Sequence, residues 1–348
     1  MGRRMNFSEI KRLWARREAF LTKEVQKTAD TPDEPVLEPA IQQFLDGLGE
    51  SRAPPIYTLP PAEARQALAV LQSGSIGKPA ARLDDMVLPV GPTGSVRIRI
   101  IRPEGRNDGL PVVLYLPGGG WILGDKSTHD RLIRQIAVGA RAALFFVEYD
   151  RAPEAKYPIA LEQIYAVTKY VVMHDVNLGV DSTRMAIMGD GAGGNMAAAV
   201  TLMARERRGP KIDLQVLFYP VVDASFNTRS YMSFADGPWL TRQAMEGFWN
   251  AYLPDLLARK QITATPLNAS IDQLTGLPDA VIVVAENDVL RDEGESYARK
   301  LSRAGVRVTS TRYNGTIHDF VMLNALADTP AACSAIAQAI EALRSVLE

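Results

Sequence analysis

The chain has 348 residues, with 39 basic and 40 acidic side chains and a net charge of −1, so no global field draws it to nucleic acid or to an anionic membrane. Hydrophobic residues make up 47% and charged residues 23%, which suits a sizeable buried core and excludes collagen-like, disordered and coiled-coil classes. A single cysteine, Cys333, and only three histidines, His129, His174 and His318, permit no internal disulfide and no structural zinc cluster. The expected partner is a small molecule, and the expected setting is a reducing, cytoplasmic one.

The start, MGRRMNFSEI, has no apolar stretch after its Arg pair and carries Asn6, so neither a secretory signal nor a myristoylation site is expected. No run of about 18 apolar residues occurs, so no membrane span is expected either. Ile10, Leu13 and Trp14, then Phe20, Leu21 and Val25, recur at helical spacing. Breaks at Pro54-Pro55 and Pro60-Pro61 divide this stretch, and residues 1–80 read as a helical N-terminal region. From about residue 84 short β-branched runs take over. Strands are predicted at 85–90, 96–102, 112–116, 143–148, 184–188, 214–219, 280–285 and 306–313, and helices at 128–139, 159–174, 194–206, 291–304 and 331–347. Such alternation requires crossover connections, hence an α/β fold with a mostly parallel, eight-stranded sheet flanked by helices. The alternating Val96-Arg97-Ile98-Arg99-Ile100 instead predicts a half-exposed edge strand, antiparallel to its predecessor. Residues 221–270, with Phe248, Trp249 and Tyr252, interrupt the alternation and read as a cap insertion over the sheet's carboxyl edge. The core is then 81–220 and 271–348.

Ligands of open α/β sheets sit beyond the carboxyl ends of the strands, and three loops there carry chemistry. Pro117-Gly118-Gly119-Gly120-Trp121 follows the third strand. Its glycines let backbone amides approach a ligand and converge on a developing oxyanion, although a surface turn has the same composition. Gly189-Asp190-Gly191-Ala192-Gly193-Gly194-Asn195 runs from the fifth strand into a helix. It fits both G-x-G-x-x-G and a nucleophile elbow with Gly191 at the serine position. The dinucleotide fingerprint belongs after a first strand, with an acid ending the next one. Asp213 precedes the following strand and Asp223 lies too far on, so the elbow is preferred. Finally, Asp288 after the seventh strand and His318 after the eighth complete the chain order elbow, acid, base.

Taken together, the glycine run with Trp121 and Gly124-Asp125, the Tyr149-Asp150-Arg151-Ala152-Pro153-Glu154 segment, the elbow, Asp288 through Gly294 and His318-Asp319-Phe320 resemble the hormone-sensitive-lipase-like carboxylesterases of the α/β-hydrolase fold. The resemblance implies hydrolysis of short-to-medium acyl esters without metal or cofactor. Asp288 would be the acid, His318 the base, and Gly119, Gly120 and Ala192 the oxyanion amides. It also implies a small-molecule ester or carbonyl ligand and admits a homodimer formed through the last strand and helix. Two positions depart from the pattern. Pro117 stands where the glycine motif begins with His, and Gly191 stands where the nucleophilic serine belongs. Without an Oγ no acyl-enzyme forms, so the expectation is an inactive or very weakly active chain, by engineered replacement or natural variation. The alternative is a non-catalytic small-molecule-binding protein on the same scaffold. His129 and His174 read as structural or exposed, and Asp292 and Glu293 as charges suited to a helix start. Trp239, Phe248, Trp249 and Tyr252 fit either a pocket wall or core packing.

Overall fold

The computed structural model describes residues 35–51, 54–105 and 109–348. The helical repeat expected from Ile10 to Val25 lies outside the described residues. Eight strands, β1 Ala81–Leu88, β2 Val96–Pro103, β3 Leu110–Leu116, β4 Ala143–Glu148, β5 Val180–Asp190, β6 Leu214–Phe218, β7 Asp279–Asn287 and β8 Val308–Ile317, form one sheet in the order β1-β2-β4-β3-β5-β6-β7-β8. The β1/β2 and β2/β4 pairs are antiparallel, and all others are parallel. Strand β2 therefore pairs with its predecessor as expected, but it is not the edge. Strand β4 closes its other side and leaves β1 outermost, with Arg99 of β2 paired to Asp85 of β1 at 2.7 Å. The charged alternation that resembled an edge serves this cross-strand pairing.

Side chains along the central strands alternate between two buried clusters, as pleating requires. Ile98, Leu114, Phe145 and Ile187 face one side with helices α4 Ile159–Met173, α5 Ala192–Glu206 and α7 Arg291–Arg303. Ile101, Tyr115, Phe146 and Met188 face the other with α3 Asp130–Ala140 and α8 Pro330–Leu347. Strand β3 is buried along its whole length, the pattern of a parallel strand covered on both faces. Among the described residues two further α-helices precede the sheet, α1 Pro39–Ser51 and α2 Pro61–Leu71, and α6 Arg242–Tyr252 lies within the long β6–β7 connection. Helix α6 starts at a Thr241 cap that accepts the Ala244 amide at 3.0 Å. Among the described residues no helix is long and apolar enough to cross a membrane.

Candidate active site

Strand β5 ends at Asp190 and α5 begins at Ala192, so the turn between them rests on residue 191. Gly191 holds φ +51° and ψ −114°, a conformation unfavourable for residues with a Cβ. Its amide donates to the Phe218 carbonyl at 2.9 Å, pinning the turn to β6. Gly193 has a different reason to be glycine: a Cβ there would overlap the Leu116 carbonyl oxygen at the end of β3. Close helix-to-strand packing explains a glycine at 193, the last position of the elbow pattern and not a glycine of G-x-G-x-x-G, whose glycines fall at 189, 191 and 194.

A Cβ built on Gly191 would lie 3.2 Å from His318 Nε2. Chain neighbours aside, only that imidazole comes within 4 Å of it among the described residues. The ring is oriented from its other side, where Nδ1 lies 2.7 Å from Asp288 Oδ2. Asp288 is itself fixed by the Leu290 amide, which donates to Oδ1 at 3.0 Å. Tyr219 meets the His318 ring at a centroid distance of 4.7 Å. Burial lowers the His318 pKa, but the carboxylates of Asp288 and Asp319 outweigh it and hold the value up at about 9. The two carboxylates thus favour the protonated ring.

Both Gly119 (φ +97°) and Gly120 (φ +61°) adopt positive φ, and the loop is clamped from two directions. The Gly118 amide donates to Asp190 Oδ1 at 3.1 Å. Trp121 is fully buried, stacked on Tyr252 at 4.4 Å and against Trp249 at 4.8 Å. Phe248 lies over Gly120, so that a Cβ at 120 would overlap its ring. Among the described residues the amides of Gly119, Gly120 and Ala192 have no hydrogen-bond partner. These residues and His318 line a cavity of about 380 Å³, whose apolar wall includes Leu45, Leu68, Trp239, Met245 and Phe248. The aromatic group of the insertion therefore divides. Trp239 and Phe248 face the cavity, whereas Trp249 and Tyr252 belong to the core around Trp121.

The structure thus brings Gly191, Asp288, His318, Gly119, Gly120 and Ala192 to one place, and it adds groups that sequence reasoning missed. Asp319 puts Oδ1 3.5 Å from His318 Nε2, while its Oδ2 accepts from Trp239 Nε1 at 3.0 Å. Burial raises its pKa against the opposing His318 charge. Its only sequence signal was adjacency to His318. Behind the elbow Asp190 accepts from Tyr115 Oη at 2.7 Å, and its Oδ2 lies 3.3 Å from His129 Nε2. His129 Nδ1 in turn lies 3.0 Å from Thr128 Oγ1. Burial opposes both charges, yet mutual attraction prevails, raising the His129 pKa and lowering that of Asp190. His129 is therefore structural and buried, and His174 is half-buried, stacked on Tyr170. Glu293 is more than a helix-start charge: its buried Oε1 accepts the Val222 and Asp223 amides at 2.7 and 3.1 Å, and burial pushes its pKa well up. Gln72 and Arg131 donate to backbone carbonyls just after His318, with Gln72 Nε2 3.0 Å and Arg131 2.8 Å from Met322 O.

The sheet order and its helices are those of the α/β-hydrolase fold, and the chain belongs to that fold family, in its hormone-sensitive-lipase-like carboxylesterase branch. The sequence model of that fold matches residues 113–322. The chain is 44% identical to a thermostable esterase from Pseudomonas putida ECU1011, whose crystal structure matches over 91% of this chain and 99% of that one with a TM-score of 0.88. It is 34% identical over 323 residues to carboxylesterase NlhH of Mycobacterium tuberculosis, spanning 92% of this chain and 99% of the relative. Esterase LipI of the same species is 38% identical over 272 residues, 77% of this chain and 83% of the relative.

Proposed function

We propose that the chain is a scaffold for hydrolysis of short-to-medium acyl carboxylic esters, in which Gly191 occupies the position of the nucleophilic serine. In this reading Asp288 orients His318 and stabilises its cation, and His318 moves the proton. The amides of Gly119, Gly120 and Ala192 receive the charge that develops on the acyl oxygen. One observation carries the reading: a side chain growing from residue 191 would start 3.2 Å from His318 Nε2, the imidazole that shares a cavity wall with Gly119, Gly120 and Ala192. A hydroxymethyl group starting there has that imidazole within reach as its base. The esterase and carboxylesterase names of the relatives agree with it.

The test is Gly191→Ser. The variant should hydrolyse para-nitrophenyl acetate and butyrate with a burst of nitrophenol, and a folded variant without that activity would overturn the reading. Residues 1–80, of which those before 35 lie outside the described residues, and 221–270 are assigned to a cap, and 81–220 with 271–348 to the core. Support comes from the cavity wall, to which both Leu45 and Leu68 before the sheet and Met245 and Phe248 of the insertion contribute. A reducing cytoplasmic setting suits the exposed thiol of Cys333.

A second reading, non-catalytic binding of a carbonyl or acid ligand, is favoured by an apolar cavity whose wall includes Gly119, Gly120, Ala192 and His318, an imidazole that its neighbouring carboxylates bias towards the protonated form. It requires saturable binding by the unaltered chain together with no gain of turnover in Gly191→Ser.

A further inference from the structure

We propose that the chain as it stands, with Gly191, hydrolyses activated esters by single displacement, a water molecule beside the Gly191 Cα taking the part of a serine hydroxyl. The inference rests on the roles assigned above to Gly191, Asp288 and His318, and goes beyond them by naming a nucleophile and a kinetic course. Its basis is geometric. The space into which a Cβ would project is bounded by the His318 imidazole, with Nε2 at 3.2 Å and Cε1 at 3.6 Å, and chain neighbours aside by no other described atom within 4 Å. That space adjoins the cavity lined by Gly119, Gly120, Ala192 and His318. A water beside it has His318 Nε2 as its acceptor, and the same nitrogen lies 3.5 Å from Asp319 Oδ1.

The step balances without any further reactant. The water oxygen forms a bond to the acyl carbon while the carbonyl π pair moves onto oxygen and is held by the three amides. The water proton passes to His318 Nε2, while the other ring proton stays on Nδ1, donated in a hydrogen bond to the Asp288 carboxylate. As the carbonyl re-forms, the C–O bond to the leaving group breaks and the departing alkoxide takes the proton from Nε2. Carboxylic acid and alcohol leave, and the protein is never acylated. Hydrolases stripped of their nucleophile retain roughly 10³–10⁴-fold acceleration over water through oxyanion donors and binding, which sets the scale of the activity.

The base must be neutral imidazole. Facing it are Asp288 at Nδ1, Asp319 near Nε2 and the Tyr219 ring, with Asp190 further off. Two flanking carboxylates favour the protonated ring, so the rate rises with pH and levels near the His318 value of about 9.

The experiment compares the full chain with Gly191→Ala, Gly191→Ser and His318→Ala on para-nitrophenyl acetate, with thermal melts establishing that each variant folds. Alanine at 191 sets a methyl group between the Cα and His318 Nε2, 3.2 Å from that nitrogen, and so crowds out a water there, while serine at the same strained φ controls for backbone effects. The unaltered chain is expected to release nitrophenol linearly without a burst and to remain unlabelled by a para-nitrophenyl phosphonate in mass spectra. Gly191→Ala and His318→Ala should each lower the rate by about tenfold or more. A rate no greater than that of His318→Ala, an undiminished Gly191→Ala, or a burst from the unaltered chain would each overturn the proposal. An active Gly191→Ser beside an inert parent defeats only this inference, whereas an inactive Gly191→Ser defeats the functional reading beneath it.

Discussion

Residue 191 concentrates a conflict between stability and chemistry. At φ +51° a residue with a Cβ carries strain of about 1–3 kcal/mol, and glycine carries little. Gly191→Ser should therefore unfold at lower urea, losing about 1–3 kcal/mol even as it gains turnover. An equally stable serine variant would show that the turn accommodates a Cβ freely. His318 offers a second residue-level expectation. Its pKa rises from 6.5 to about 9 on folding. The associated stabilisation is thus fully present below about pH 6.5 and is lost as pH climbs towards about 9. Asp288→Asn removes a carboxylate that raises the value, so the imidazole midpoint, followed by the NMR shift of its Cε1 proton, should fall. A midpoint unchanged in that variant would contradict the assigned cause. That Gly191, Asp288 and His318 come to one end of the sheet was expected from their places after β5, β7 and β8. Asp319 was not, because adjacency to His318 does not reveal which way its carboxylate turns.

Among the elements, the loop after β3 is held jointly by the sheet below and α6 above. Gly118 is tied to Asp190, Trp121 stacks on Tyr252 and Phe248 covers Gly120. Gly120→Ala would force a Cβ into the Phe248 ring at φ +61°. Placed beside Gly191→Ser, it should lower kcat more than it raises KM, since oxyanion amides act mainly in the transition state. An unchanged kcat would remove Gly120 from that role. Strand and helix positions were largely readable because apolar periodicity and glycine turns are local signals. The local signal misread β2, since an alternating charged strand looks the same at an edge as beside one, where Arg99 meets Asp85. It also underrated Glu293, whose helix-start position hides its grip on Val222 and Asp223 across the insertion.

At the scale of the whole molecule, the cavity is closed by segments from before the sheet and from the β6–β7 connection, so an occupant bridges parts distant in sequence. A short-to-medium fatty acid such as hexanoate, its anion facing the His318 cation, should raise the melting temperature at neutral pH and do so less above pH 9. At a hundredfold excess over Kd the stabilisation is about 2.7 kcal/mol. NAD and NADP should give no shift, and a shift with either would revive the dinucleotide reading of the glycine turn. The order of strands and helices, the three loops at the sheet's carboxyl edge and the glycine at the elbow were settled by the sequence itself, because propensity, periodicity and turn chemistry act over a few residues. Only the tertiary structure decided that His129 meets Asp190 beneath the elbow, that Asp319 joins His318, and that Trp239 and Phe248 wall a cavity while Trp249 and Tyr252 do not. Those outcomes depend on how the sheet is ordered and how the insertion packs on it, and no short stretch of chain encodes either.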